Sequence, residues 1–195
     1  TIMTPCGWAK NAGVWAKNNP QHAVGVHLTF TSEWGEYRWG PVAENNTSSL
    51  RDSEGFMHHE SDQFEDAADL DEVEAEIRAQ IERFKSFGIE PSHLDNHMGS
   101  LYGIATGRLE LLQLIFDLAA EYKLPFRVPG TFIPEMMGNE MLDIQLPEEI
   151  IKMAFSKFTS YAKDHGVLMP DYLIPGHWSG PWKDDYELYR ETIYE

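Results

Sequence analysis

The chain has 195 residues, 42% of them hydrophobic, which suits one globular domain with a sizeable core rather than a disordered chain. Its 15 basic and 32 acidic residues give a net charge of −17, which repels nucleic-acid backbones and anionic membranes but tolerates a neutral sugar, an amine or a bound cation. No apolar run approaches the roughly 20 residues of a membrane helix. The single cysteine, Cys6, rules out an internal disulfide framework and fits a reducing, cytoplasmic setting.

Residues 1–4 read as the end of a strand, and "TIMTPC" has no signal-peptide features. A helix follows, with Trp8, Val14 and Trp15 as its apolar stripe and Asn18-Asn19-Pro20 as its stop. "HAVGVHLTF" is a strand rich in β-branched and large apolar residues. From Thr31 to about Asp69 the sequence is polar, acidic and without a lasting period, as expected of a long loop or lid. His58 and His59 fall within it and read as solvent-exposed.

"DLDEVEAEIRAQIERFKSFG" is the clearest helix: Val73, Ile77, Ile81 and Phe84 share a face, acids crowd the first turns, and Gly88 suits the C-terminal cap. "PSHLDNH" reads as a strand and Gly107–Lys123 as a second amphipathic helix carrying Leu111, Leu114, Ile115 and Leu118. "LPFRVP" is a short strand, 148–165 a third helix, "LMPDYLIPG" a last strand, and a final helix begins near Asp184. Strands alternating with helices imply an α/β fold with a parallel sheet, open or closed into a barrel, and active sites at the carboxyl ends of the strands.

Two histidine clusters fall near such ends. His27 lies in "GVHLTF", while His93, Asp95 and His97 alternate along "HLDNH", so in a strand all three would share one face. Each cluster alone fits a hydrogen-bonded strand end. Together in one parallel sheet they point to a shared cleft, where neutral imidazoles and a carboxylate suit a divalent metal and acid/base work. Arg127 could reach a carboxylate there or form a plain salt bridge, and Trp34 and Trp39 could stack on a sugar or simply pack the loop. His177 reads as part of a structural turn. Nucleophile-elbow, P-loop and CxxC signatures are absent.

The combination "VGVHLTFTSEW…YRWGP" followed by "PSHLDNHMG" resembles the YdjC-type carbohydrate deacetylases from Thr1 to about Pro129. The resemblance implies a TIM-like, distorted (β/α) barrel and a divalent ion, magnesium or zinc, held by an aspartate and two histidines. His27 and His97 match the histidine ligands, and His93, Asp95 and Arg127 match catalytic or supporting positions. The implied reaction is removal of an N-acetyl group from a small amino sugar or chitin-type oligosaccharide. Another metal-dependent amide or ester hydrolase, or a silent sugar-binding barrel, is the alternative, and a homodimer is compatible with either. Two departures stand out: no Asp-Asp motif precedes "TIMTPC", the only such pair being Asp184-Asp185, and Gly99 replaces a further histidine. These make 1–195 resemble a barrel incomplete at both ends. Such a piece is expected to bind metal weakly, to aggregate and to lack activity on its own.

Overall fold

The computed structural model describes residues 1–131, 133 and 147–173. Around a small parallel sheet it places helices α1 (Ala9–Asn18), α2 (Ser61–Ala67), α3 (Leu70–Lys85), α4 (Glu110–Tyr122) and α5 (Glu148–Asp164), with strands β1 (Val26–Leu28) and β2 (Leu94–Asn96) at the centre. The two strands run parallel in the register Val26↔Leu94, His27↔Asp95 and Leu28↔Asn96. Ile2 bridges Val26 on the far side of β1, and Phe126 bridges Leu94 on the far side of β2, both in the parallel sense. The Phe126 amide then donates to the Leu168 carbonyl at 3.0 Å. Five chain segments thus lie side by side in the order Ile2, β1, β2, Phe126, Leu168, and the fold is α/β. His177, Asp184, Asp185 and the expected last helix lie outside the described residues.

Val26 and Leu28 are wholly buried and His27 between them is not, so alternation turns one face of β1 to the helices and the other to a cleft. The covered face meets Val73, Ile77, Ile81 and Phe84 of α3 and Leu111, Ile115 and Phe116 of α4, all fully buried. Helix α3 begins where Asp69 accepts from the amides of Asp71 and Glu72, and Gly88, at φ 80°, turns the chain after its end. Helix α4 starts at Glu110 rather than near Gly107, because Glu65 of α2 holds the preceding turn through the amides of Ala105 and Thr106.

The stripe expected to bury α1 faces the other way. Trp8, Val14 and Trp15 are 76, 50 and 52% exposed, whereas Ala9, Gly13 and Ala16 face the core. Close approach decides this: a Cβ on Gly13 would sit 2.6 Å from the Phe87 Cβ, so the small residues must face inward.

Residues 31–69 are not a free-standing loop. Leu50, Met57 and Phe64 are fully buried, α2 lies within the segment, and Arg38 ties it together through the carbonyls of Ser32 and Met57 and the carboxylate of Asp52. His58, expected to be exposed, is half-buried, with Nε2 3.0 Å from the Ser49 carbonyl. The firmest anchor is a polar stripe on α3. Glu72 receives the Ser49 amide and the hydroxyls of Ser48 and Ser49. Glu76 receives the amides of Val42 and Ala43 at 2.9 and 2.8 Å. The Gln80 side-chain amide accepts from Thr29 N at 3.0 Å and donates to Thr29 O at 2.7 Å, as a neighbouring strand would. Burial pushes the Glu76 carboxyl up, and the donors from Val42, Ala43 and Gln80 only partly offset it.

Replacing Glu76 by alanine leaves the part-buried amides of Val42 and Ala43 and one Gln80 N–H without their acceptor. Glu76→Ala should therefore cost about 2–4 kcal/mol in urea unfolding, whereas Trp15→Ser on the exposed face of α1 should stay within about 0.5 kcal/mol.

Candidate active site

Three neighbouring segments each supply one side chain at the carboxyl ends of the sheet. His27 from β1 and Asp95 from β2 are register partners, and Arg127 follows Phe126 on the next segment. Asp95 Oδ2 lies 3.1 Å from His27 Nδ1, off the line of an ideal N–H···O bond. Its Oδ1 takes the Arg127 guanidinium at 2.6 Å and the Asn96 amide at 2.5 Å. Burial alone would favour the neutral acid, but the contacts and charges of His27 and Arg127 outweigh it and hold Asp95 well below the usual carboxylate range. Asp95 in turn raises the Arg127 pKa.

His97 opens the short 3₁₀ segment His97–Tyr102. Its ring stands edge-to-face to that of His27, with centroids 5.3 Å apart and planes at 68°. Met98 and Gly99 then take left-handed conformations, φ 52° and 67°, turning the chain sharply away. Ser61 steadies that turn by donating to the Met98 carbonyl at 2.9 Å.

The structure brings His27, Asp95, His97 and Arg127 into one cluster. His93 sits apart from it: its ring packs over Gly25, where any Cβ would lie 2.5 Å from the His93 carbonyl, and its Nδ1 is 2.9 Å from Ser92 Oγ. Desolvation lowers the His93 pKa, against the opposing pull of Asp95. The face expected to carry His93, Asp95 and His97 together therefore divides, because β2 covers only Leu94–Asn96 and His93 precedes it.

The two tryptophans also divide. Trp39 is buried, donating from Nε1 to the Thr31 carbonyl at 2.9 Å, and its ring lies 6.4 Å from that of His97. Trp34 is 59% exposed, standing edge-on to Trp39 and Tyr37. Tyr37 is itself fixed, its hydroxyl accepting the Gly7 amide at 2.7 Å.

One member of the cluster escaped the sequence reading. Glu33 Oε2 lies 3.0 Å from His97 Nε2, the two side chains being 24 and 15% exposed. Its only sequence signal was an acid six residues after His27, beyond a strand end. Among the described residues, no three His, Cys, Asp or Glu side chains converge on one metal position.

Asp95 gives a pH test whose sign follows from its lowered pKa. Its stabilising contribution is complete above the ordinary aspartate value of about 3.9 and is lost as pH falls toward the lower folded value. Asp95→Asn should therefore destabilise by about 2–3 kcal/mol near neutral pH, and in urea titrations the gap to the native protein should narrow below about pH 4.

Comparison with known proteins identifies the family. The YdjC-like protein family matches residues 1–193. A carbohydrate deacetylase of Thermus thermophilus is 33% identical over 141 residues, covering 68% of this chain and 50% of the relative. One from Oceanobacillus iheyensis is 34% identical over 137 residues, covering 69% of this chain and 54% of the relative. The chain thus spans about half the length of these curated relatives. A solved structure from Enterococcus faecalis V583, described as a cellobiose-phosphate cleavage protein, shares the fold at a TM-score of 0.66 and 24% identity, covering 99% of this chain and 64% of its own. No helix among the described residues is long and apolar enough to cross a membrane. With its family match over nearly the whole length and its two histidine motifs meeting in one cleft, the chain belongs to the YdjC-like family.

Proposed function

We propose that this protein is a metal-dependent hydrolase that removes N-acetyl groups from amino sugars, with His27 and His97 as protein ligands of a divalent ion. The observation that carries this reading is the convergence of the two imidazoles, each facing a carboxylate, at the ends of adjacent parallel strands. Their spacing fits a shared ion. With metal–nitrogen bonds of roughly 2.0–2.1 Å in a tetrahedral site, two ring centroids fall about 5 Å apart, against the 5.3 Å found. Zinc suits such nitrogen donors better than magnesium, which prefers oxygen.

Asp95 on Nδ1 of His27 leaves Nε2 as the donor nitrogen, and Arg127 keeps Asp95 ionised and in place. Asp95 and Arg127 therefore act through His27, as positioning groups. A bound ion would supply polarisation of the acetyl carbonyl and acidification of a water. Trp34, held edge-on with its ring largely open, offers the apolar surface on which a pyranose stacks, while buried Trp39 holds the loop and His97 in place. The net charge of −17 favours an uncharged sugar, and the amine product, over anionic ligands. The accompanying fold reading is a TIM-like barrel, of which the five aligned segments form an arc, in a cytoplasmic protein whose lone cysteine stays reduced.

Acetate release from an N-acetylated chitin disaccharide, measured on the full-length protein with added zinc or magnesium, tests the reading. His27→Ala and His97→Ala should each lower kcat/KM by about 10³-fold or more while circular dichroism shows the fold retained. Full activity in both variants would refute the metal assignment. Trp34→Ala should raise KM about tenfold with kcat little changed, as expected for loss of uniform binding, whereas Trp39→Ala should lower thermal stability.

A further inference from the structure

We propose that Glu33 is the positioning carboxylate of His97, fixing its ring as the Nε2–H tautomer so that Nδ1 is the donor nitrogen; the consequence for metal binding rests on the ligand reading above. An ionised carboxylate only accepts hydrogen bonds, so the proton in the 3.0 Å contact between Glu33 Oε2 and His97 Nε2 belongs to the imidazole. A neutral imidazole carries one N–H, and Nδ1 is then the nitrogen with a free lone pair.

The His27 pair has the opposite sense. There Asp95 faces Nδ1 and leaves Nε2 free. The cleft thus holds two carboxylate–histidine pairs in which the carboxylates face opposite ring nitrogens, Nδ1 of His27 and Nε2 of His97, with ring centroids 5.3 Å apart and edge-to-face. If each carboxylate holds the N–H it faces, each ring would keep one lone pair for a shared ion, although one histidine comes from within a strand and the other from the turn beyond one.

The contact also has the setting of a positioning bond. Both side chains are largely shielded from water, so it is worth more than an exposed surface pair. The same short segment supplies a second restraint on the ring: Trp39 stands edge-to-face with His97, centroids 6.4 Å apart, and is itself anchored by Nε1 to the Thr31 carbonyl and by its amide to Ser32 Oγ at 3.0 Å. Glu33 and Trp39 therefore constrain the imidazole by a polar and an apolar contact, which sets both the protonated nitrogen and the tilt of the plane. The Glu33 charge is directed into the strand-end cleft, where it adds to the burial that pushes the Cys6 thiol up to about 11.

Two measurements on the purified protein test the assignment. Long-range proton–nitrogen NMR of the metal-free protein should show His97 as the Nε2–H tautomer in the native chain and in Glu33→Gln, whose amide oxygen still accepts, and as a tautomer mixture in Glu33→Ala. Calorimetric titration with zinc alone should show affinity falling about 10–100-fold in Glu33→Ala and recovering most of that loss in Glu33→Gln. An Nδ1–H tautomer in the native protein, or unchanged zinc affinity in Glu33→Ala alongside a large loss in His97→Ala, would overturn the proposal. A loss in Glu33→Ala as deep as that in His97→Ala, unrelieved in Glu33→Gln, would also overturn it by making Glu33 a direct ligand. If His27→Ala and His97→Ala both bind zinc like the native chain, the metal reading fails, and the NMR tautomer alone decides the role of Glu33.

Discussion

The register of β1 on β2 is the constraint on which the site depends. Pairing His27 with Asp95 puts a nearly buried carboxylate beside an imidazole in a place where neither has enough water to stand alone. Such a carboxylate stays ionised only with cationic or N–H partners, and Arg127, from the next segment across, supplies one. A slip of one residue in either strand would put Val26 or Leu28 opposite Asp95 and turn His27 into the apolar layer. The chemistry of the cleft and the packing of the sheet are therefore set by the same alignment.

A second layer of organisation surrounds this centre. The segment from 31 to 69 brings Glu33, Trp34 and Trp39 to the cleft, and little of its own regular structure would hold it there. Its shape comes from outside and from within: α3 grips its backbone, Arg38 closes it on itself, and a few buried side chains such as Leu50 and Met57 sink into the protein. The site thus combines strand residues of fixed register with loop residues held by side-chain hydrogen bonds.

Much of this was legible in the sequence, for identifiable reasons. The apolar face of α3 repeats every three to four residues over four turns, and the strand around His27 is dense in β-branched and large apolar residues, so both stand out. The two histidines could be assigned to a common cleft because parallel topology sends strand ends to the same side. Other features left no periodic trace. On α1 the aromatic residues dominate the pattern, yet packing against Phe87 requires the side with no bulk. Glu72, Glu76 and Gln80 look like a solvated helix face because charge and amide groups usually mark one; only their partners, distant in sequence, reveal the stripe as interior. Glu33 was hidden for a similar reason, since one acid in an acidic segment says nothing until a ring nitrogen is found 3.0 Å away.

The grip of α3 on this segment has an asymmetry of its own. At Thr29, just before the segment, and at Val42 and Ala43 within it, the helix hydrogen-bonds only peptide groups, which every residue except proline carries in full. The helix therefore dictates where the segment runs without dictating what side chains it bears at those points. Side chains at and beside those points are free to change while the path of the chain stays fixed. At those points the path is held by two residues of the helix, Glu76 and Gln80. The arrangement separates the information for geometry from the information for recognition and stores the two in different parts of the chain.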